Sequence, residues 1–191
     1  MAGEPVCGRR SAEFAGRDLE TDCLLLCSSV LQPAVNMIVF VQSVLPCSAE
    51  QAWEAVRTSA LLLEVCRPFV AIQPLSGQSL PAAWAEGAEV FCRSSLFGLI
   101  PLGTRSLIFK RVDPERFEIQ THESDPLVKR WDHLIRVNPI DHTRCRYSDR
   151  IEINAGLLTL LVWLFAEVFY HYRQFRWQSV VKRLQGSRLL P

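Results

Sequence analysis

The sequence predicts an α+β domain in which a curved antiparallel sheet of about seven strands wraps around one long C-terminal helix. Three observations carry this expectation. Runs of alternating apolar and polar residues, punctuated by turn residues, fill the stretch from Glu89 to Ile153. One strand and one helix precede them and one helix follows, so strands and helices are segregated along the chain. The last helix, about residues 157–184, is too apolar around its circumference to lie on a sheet surface by one face alone.

The elements follow in order. Ile38 to Leu45 is a strand. Pro46-Cys47-Ser48 then leads into a helix that runs to about Cys66, with Ser48 as N-cap and Gln51 completing a capping box. Glu50 suits the positive end of that helix, and Ala52, Trp53, Val56, Ala60 and Leu63 recur at helical spacing. Pro68 ends the helix, Phe69 to Ile72 is a short strand, and residues 74–87, with Pro74, Gly77, Pro81 and Gly87, form a loop. Glu89 to Phe97 is a strand ended by Gly98 and Pro101. Thr104 to Val112 is the next, and Asp113-Pro114-Glu115-Arg116 turns into Phe117 to His122. Ser124-Asp125-Pro126 breaks the pattern before Val128 to Val137. A turn at Asn138 to Thr143 then leads to Cys145 to Ile153, and Gly156 precedes the final helix.

Composition narrows the class. A chain of 191 residues fits one domain with a substantial core. A formal net charge of +1 gives no global attraction for nucleic acid, and no nucleic-acid partner is expected. Seven scattered cysteines, an odd number without a zinc spacing, read as reduced thiols of a cytoplasmic protein. No signal peptide is expected, because Glu13, Asp18, Glu20 and Asp22 precede the short apolar run Cys23 to Leu31. The most span-like run, Ala155 to Tyr172, carries Glu167 and reads as a buried helix. Phosphate loops, Gly-x-Ser-x-Gly and His-Glu-x-x-His are all missing from the sequence, so neither a metal nor a cofactor is expected. Residues 1–36 read as a poorly ordered extension, or as a start-site artefact if translation begins at Met37; residues 37–187 form the domain.

Three groups of residues resemble the START-like (SRPBCC) superfamily. The opening strand passes into Ser48-Ala49-Glu50-Gln51-Ala52-Trp53. Trp131-x-His133 is followed by Tyr147-x-Asp149-x-Ile151-Glu152, with Cys145 where that pattern has Thr. Phe169-Tyr170-His171-Tyr172-Arg173 lies late in the final helix. The resemblance covers roughly residues 37–187. It implies the helix-grip fold and a cavity for a hydrophobic small molecule or lipid, sometimes with catalysis of the polyketide cyclase or dehydratase kind.

Alternation places the candidate site residues. Trp131, His133, Ile135 and Val137 share one strand face, and Cys145, Tyr147, Asp149, Ile151 and Ile153 share one face of the partner strand. The opposite faces carry charges (Arg136, Arg144, Arg146, Arg150) and Ser148, so the first set points inward. His133 then lies near Tyr147 or Asp149, depending on register. A buried Asp149 needs a partner, for which His133, Tyr147 and Arg173 are the candidates. These residues either tie hairpin to helix, contact a ligand, or act as acid and base, and no catalytic residue is assigned. Trp131, Trp163, Phe165 and Phe169 line the same cavity or fill the core.

On the helix, Leu158, Leu161, Val162, Phe165, Phe169 and Tyr172 form one apolar stripe, yet Leu157, Leu160, Trp163 and Leu164 cover much of the other side, so the helix is buried on both sides or touches a partner. A homodimer, a membrane surface or the N-terminal extension could cover that second side. Arg173, Arg176, Lys182 and Arg183, flanked by Phe175 and Trp177, suit the helix C-terminus or an anionic lipid surface.

Overall fold

The structure, a computed structural model, describes residues 36–75, 77 and 79–188, the last five by backbone only. The chain divides into two units, residues 1–33 and 34–191, and the description concerns the second. The expectations for the N-terminal extension lie outside the described residues.

Seven strands form one antiparallel sheet. β1 (Met37–Leu45) is followed by helices α1 (Ala49–Val56) and α2 (Ser59–Cys66), then by β2 (Val70–Pro74). β3 (Glu89–Leu96), β4 (Ile100–Asp113), β5 (Glu118–Ser124), β6 (Arg130–Asp141) and β7 (Arg144–Asn154) follow as successive hairpins. The order β1-β7-β6-β5-β4-β3-β2 puts the first strand beside the last, and the two helices carry the chain from one sheet edge to the other. A 3-10 turn (Gly156–Leu158) opens into α3 (Thr159–Arg188), which packs on β1, β7 and α2. Register shifts at Ser94/Ser95, Phe109/Arg111 and Pro139/Asp141 interrupt the ladders, and irregularities of this kind bend a strand and increase its twist.

Local chemistry explains the starts and stops. Ser48 accepts from the Gln51 backbone N–H at 3.3 Å, and the Gln51 side chain accepts from the Ser48 N–H at 3.2 Å, closing the expected capping box. The helix expected to run on to Cys66 is instead two helices. Thr58 is the reason: its hydroxyl accepts from the Leu61 N–H at 3.2 Å and donates to the Ala55 carbonyl at 2.8 Å, so it caps a new helix. The break also exposes backbone at Arg57, whose carbonyl receives the Trp84 N–H at 2.8 Å and anchors the 74–87 loop.

Two strand ends differ from expectation. β4 begins at Ile100 and includes Pro101, because this part of β4 pairs with β3 alone and needs no donor on its other side. β6 continues through Pro139 to Asp141 for the same reason, since β5 leaves it after Arg136. The tight turn lies at Asp141 to Arg144, where Asp141 accepts from the Thr143 N–H at 2.9 Å.

The inward faces of β6 and β7 are those expected: Trp131, His133, Ile135, Val137, Cys145, Tyr147, Asp149, Ile151 and Ile153 are all buried. Ser148, expected at the water-facing side, is buried as well, a small side chain between Gln42 and Arg136 on the neighbouring strands.

The buried face of the helix overlaps that stripe only in part. Leu158 and Leu161 are 41% and 65% exposed, whereas Ala166, Phe169, Tyr170, Arg173, Gln174, Trp177, Val180 and Val181 are buried. Apolar spacing could not locate this face, because it contains Arg173 and Gln174. Trp177 is likewise core rather than part of a surface stripe beside Phe175, which is exposed. Arg183 reaches back to pair with Glu64 of α2.

Candidate functional site

Asp149 is fully buried at the centre of β7 and would be costly there without partners. It has three hydrogen-bonding side chains. His133 Nε2 lies 2.8 Å from Oδ1, the Tyr147 hydroxyl donates to the same oxygen at 3.0 Å, and Gln174 Nε2 donates to Oδ2 at 3.1 Å. The register pairs Ile135 with Asp149, so His133 reaches it along the diagonal, as neighbours two residues apart can. Gln174 also donates to the Val41 carbonyl at 2.8 Å, tying α3 to β1 through the same amide.

An ionised carboxylate only accepts, so His133 Nε2 donates to Asp149. The Tyr170 hydroxyl lies 3.4 Å from Nδ1. Both imidazole nitrogens therefore have protein partners. Burial opposes ionisation of Asp149, but the His133 hydrogen bond and the charge of Arg173 together hold its carboxyl below the ordinary value. Burial first, and then the charge of Asp149, pushes the Tyr147 hydroxyl well above its usual range.

Two cavities adjoin this network between the sheet and the helices. The first, about 60 Å³, is bounded by α2 (Leu61, Leu62, Val65), Trp84, and the polar group His133, Tyr147 and Asp149, with Trp177 behind. The second, about 80 Å³, is bounded by Cys66, Val70, Trp131, Phe165, Phe169 and Tyr170. Leu62, Leu107, Glu123 and Arg173 line both, so a thin partition separates the two spaces. Leu80 and the more exposed Leu102 stand at the outer side of the second.

Of the residues singled out from sequence, Trp131, His133, Tyr147, Asp149, Phe165, Phe169 and Arg173 all line one or both cavities. Phe165 and Phe169 stack at 5.8 Å between ring centroids. Trp163 lines neither; its indole N–H donates to the Ile38 carbonyl at 3.0 Å, at the β1 edge. Arg173 comes close enough to Asp149 to favour its charge, yet no ion pair joins them among the described residues.

Among the lining or network residues that escaped sequence reasoning as site residues are Arg105, Glu123, Tyr170 and Gln174. Arg105 pairs with Glu123 at 2.9 Å and Asp125 at 3.1 Å, and its guanidinium lies 5.0 Å from the Trp131 ring centroid. A signal existed, since Arg105 has the same strand parity as Leu107 and Phe109, and Glu123 the same as Thr121. Gln174 carried none, because its inward direction depends on the roll of α3.

This architecture, seven antiparallel strands closed on a long C-terminal helix with a lined space between them, is the START-like helix-grip fold. Solved structures agree at low identity. The Zhui aromatase/cyclase from Streptomyces sp. R1128 matches with a TM-score of 0.61 at 12% identity, over 78% of this chain and 95% of that one. Truncated norcoclaurine synthase from Thalictrum flavum matches with a TM-score of 0.59 at 12% identity, over 77% and 94%. A START superfamily protein from Mycobacterium smegmatis matches with a TM-score of 0.53 at 13% identity, over 77% and 98%. Within this fold the chain belongs to the family described as domain of unknown function DUF8410, whose model matches residues 43–180. No curated protein matches the sequence.

Proposed function

We propose that this domain binds a hydrophobic small molecule or lipid between its curved sheet and α3. The observation that supports this most is the incomplete packing beside a buried polar network: two spaces of about 60 and 80 Å³ walled by aromatic and aliphatic side chains, with Arg173 and Glu123 between them. Burial of ligand apolar surface would supply affinity at about 25 cal/mol per Å². Sites for drug-sized ligands measure about 300–1,000 Å³. The ligand is therefore compact, or the partition and the Leu80–Leu102 side move to admit it. Aromatic ligands suit a wall of Trp131, Phe165, Phe169 and Tyr170, and the similar norcoclaurine synthase has been solved with dopamine and hydroxybenzaldehyde.

A cytoplasmic setting belongs to this reading. Cys47, Cys66, Cys92 and Cys145 are free and buried, and no helix among the described residues is long and apolar enough to cross a membrane. The exposed Leu157 of the 3-10 turn and Leu160, Leu161, Leu164 and Val168 of α3 favour, in addition, contact with a membrane surface or a second copy of the chain.

Acid–base catalysis is the second reading, favoured by the 2.8 Å contact of His133 with Asp149. Binding is preferred because the imidazole nitrogens and the Tyr147 hydroxyl are already engaged by protein groups. Native mass spectrometry of protein purified from its own host tests the proposal. A bound small molecule released on unfolding is expected; protein that remains free of any adduct, also after incubation with host extract, would sink it.

A further inference from the structure

A buried charged group that lacks hydrogen bonds among the described residues is at the centre of the proposed site. Arg173 is 8% exposed and lines both cavities. Its Nε is buried without a hydrogen-bond partner, and among the described residues no hydrogen bond or ion pair holds the rest of the guanidinium. Two rings approach it instead, Tyr170 with its centroid at 4.9 Å and Phe169 at 5.9 Å. Rings of this kind stabilise a cation but accept none of its in-plane N–H donors well.

Neighbouring acids do not fill the gap. Both oxygens of Asp149 are taken, one by His133 and Tyr147 and the other by Gln174. Glu123, which lines the same two spaces, pairs with Arg105, as does Asp125. A buried guanidinium with unmade hydrogen bonds is costly to keep. Its planar fork of donors is complementary to two coplanar oxygens.

Resting on the small-molecule reading above, we infer that Arg173 receives the head group of an apolar carboxylic acid. The carboxylate sits at the partition between the two cavities, and the apolar body lies against Trp131, Phe165 and Phe169. Together the two spaces approach the roughly 150 Å³ that suffices for benzene, so the body is about one ring or a short aliphatic chain. A neutral ligand of the same shape would leave the fork unpaired.

Isothermal titration calorimetry with benzoate and its neutral isostere toluene tests this on the full chain. Wild-type protein should bind benzoate at least ten-fold more tightly than toluene. Arg173→Met should abolish the preference, with benzoate losing at least ten-fold relative to toluene. Equal binding of the two probes by the wild type overturns the assignment to Arg173 and leaves the hydrophobic-ligand reading standing. So does a preference that survives in Arg173→Met. If neither probe binds at millimolar concentration, the inference about Arg173 falls, and native mass spectrometry decides the hydrophobic-ligand reading by itself. Should Arg173→Met fail to fold, the wild type still decides: the Arg173 guanidinium NMR resonances should shift with benzoate and stay in place with toluene. Resonances unmoved by bound benzoate would overturn the inference.

Discussion

Replacing Asp149 by Asn removes one buried charge and keeps the shape, so its cost can be reasoned from the contacts. Asn retains one oxygen and gains an NH₂ group. If the oxygen keeps His133 and Tyr147, the new NH₂ faces the Gln174 NH₂, which is held in place by the Val41 carbonyl. Two donors then oppose each other, and Arg173 loses the negative charge that favours its own. Breaking a buried charged arrangement by removing one member costs about 3–5 kcal/mol. For a domain of this size that corresponds to a fall of about 6–20 °C in Tm.

Chemical denaturation at neutral pH measures the difference, and repeating it under acid isolates the charge. The folded state holds the Asp149 carboxyl below its ordinary value. Its contribution is therefore present above the unfolded-state value of about 4 and is lost as pH falls through the lower folded value. The gap between wild type and Asp149→Asn should be full at pH 7 and narrow in acid. A gap under about 1 kcal/mol at pH 7 would falsify the account of Asp149 as a satisfied buried carboxylate. A gap that stays constant into acid would show that shape, not charge, was lost.

Two further expectations concern the scaffold. Ser48→Ala removes the capping box that starts α1 and should cost about 1 kcal/mol, seen as a fall of about 2–4 °C in thermal unfolding; no change would deny the box a role in stability. Burial pushes the Cys66 thiol up to about 11, so it should resist iodoacetamide at pH 8 until denaturant is added. Because that folded value is raised, its contribution to stability is complete below the unfolded value of about 8.5 and is lost as pH climbs towards 11. Peptide mass mapping reads the modification, and labelling at the rate of a free thiol would contradict the burial.

Much of this could be seen along the chain because the relevant physics is local. A strand repeats every two residues, so the inward placement of Trp131, His133, Tyr147 and Asp149 follows from the charges between them. A capping box needs only Ser48 and Gln51. Thr58 shows where local reading slipped: the residue that begins a second helix lay inside an apolar periodicity that ran on past it.

The pairing of distant groups is another matter. His133 meets Asp149 rather than Tyr147 because the β6–β7 register sets Ile135 opposite Asp149. Gln174 and Arg173 face inward because the roll of α3 is chosen by the whole sheet, including the Val41 carbonyl far earlier in the chain. Apolar spacing left both sides of the helix open as the buried one, since periodicity counts hydrophobic residues and is blind to a polar side chain with a buried partner. The chain alone thus specified the strands, the start of α1 and the inward faces of β6 and β7. Folding in three dimensions settled which of those residues touch, and left Arg173 in the partition with its Nε unpaired among the described residues, because hydrogen bonds depend on positions that local spacing does not encode.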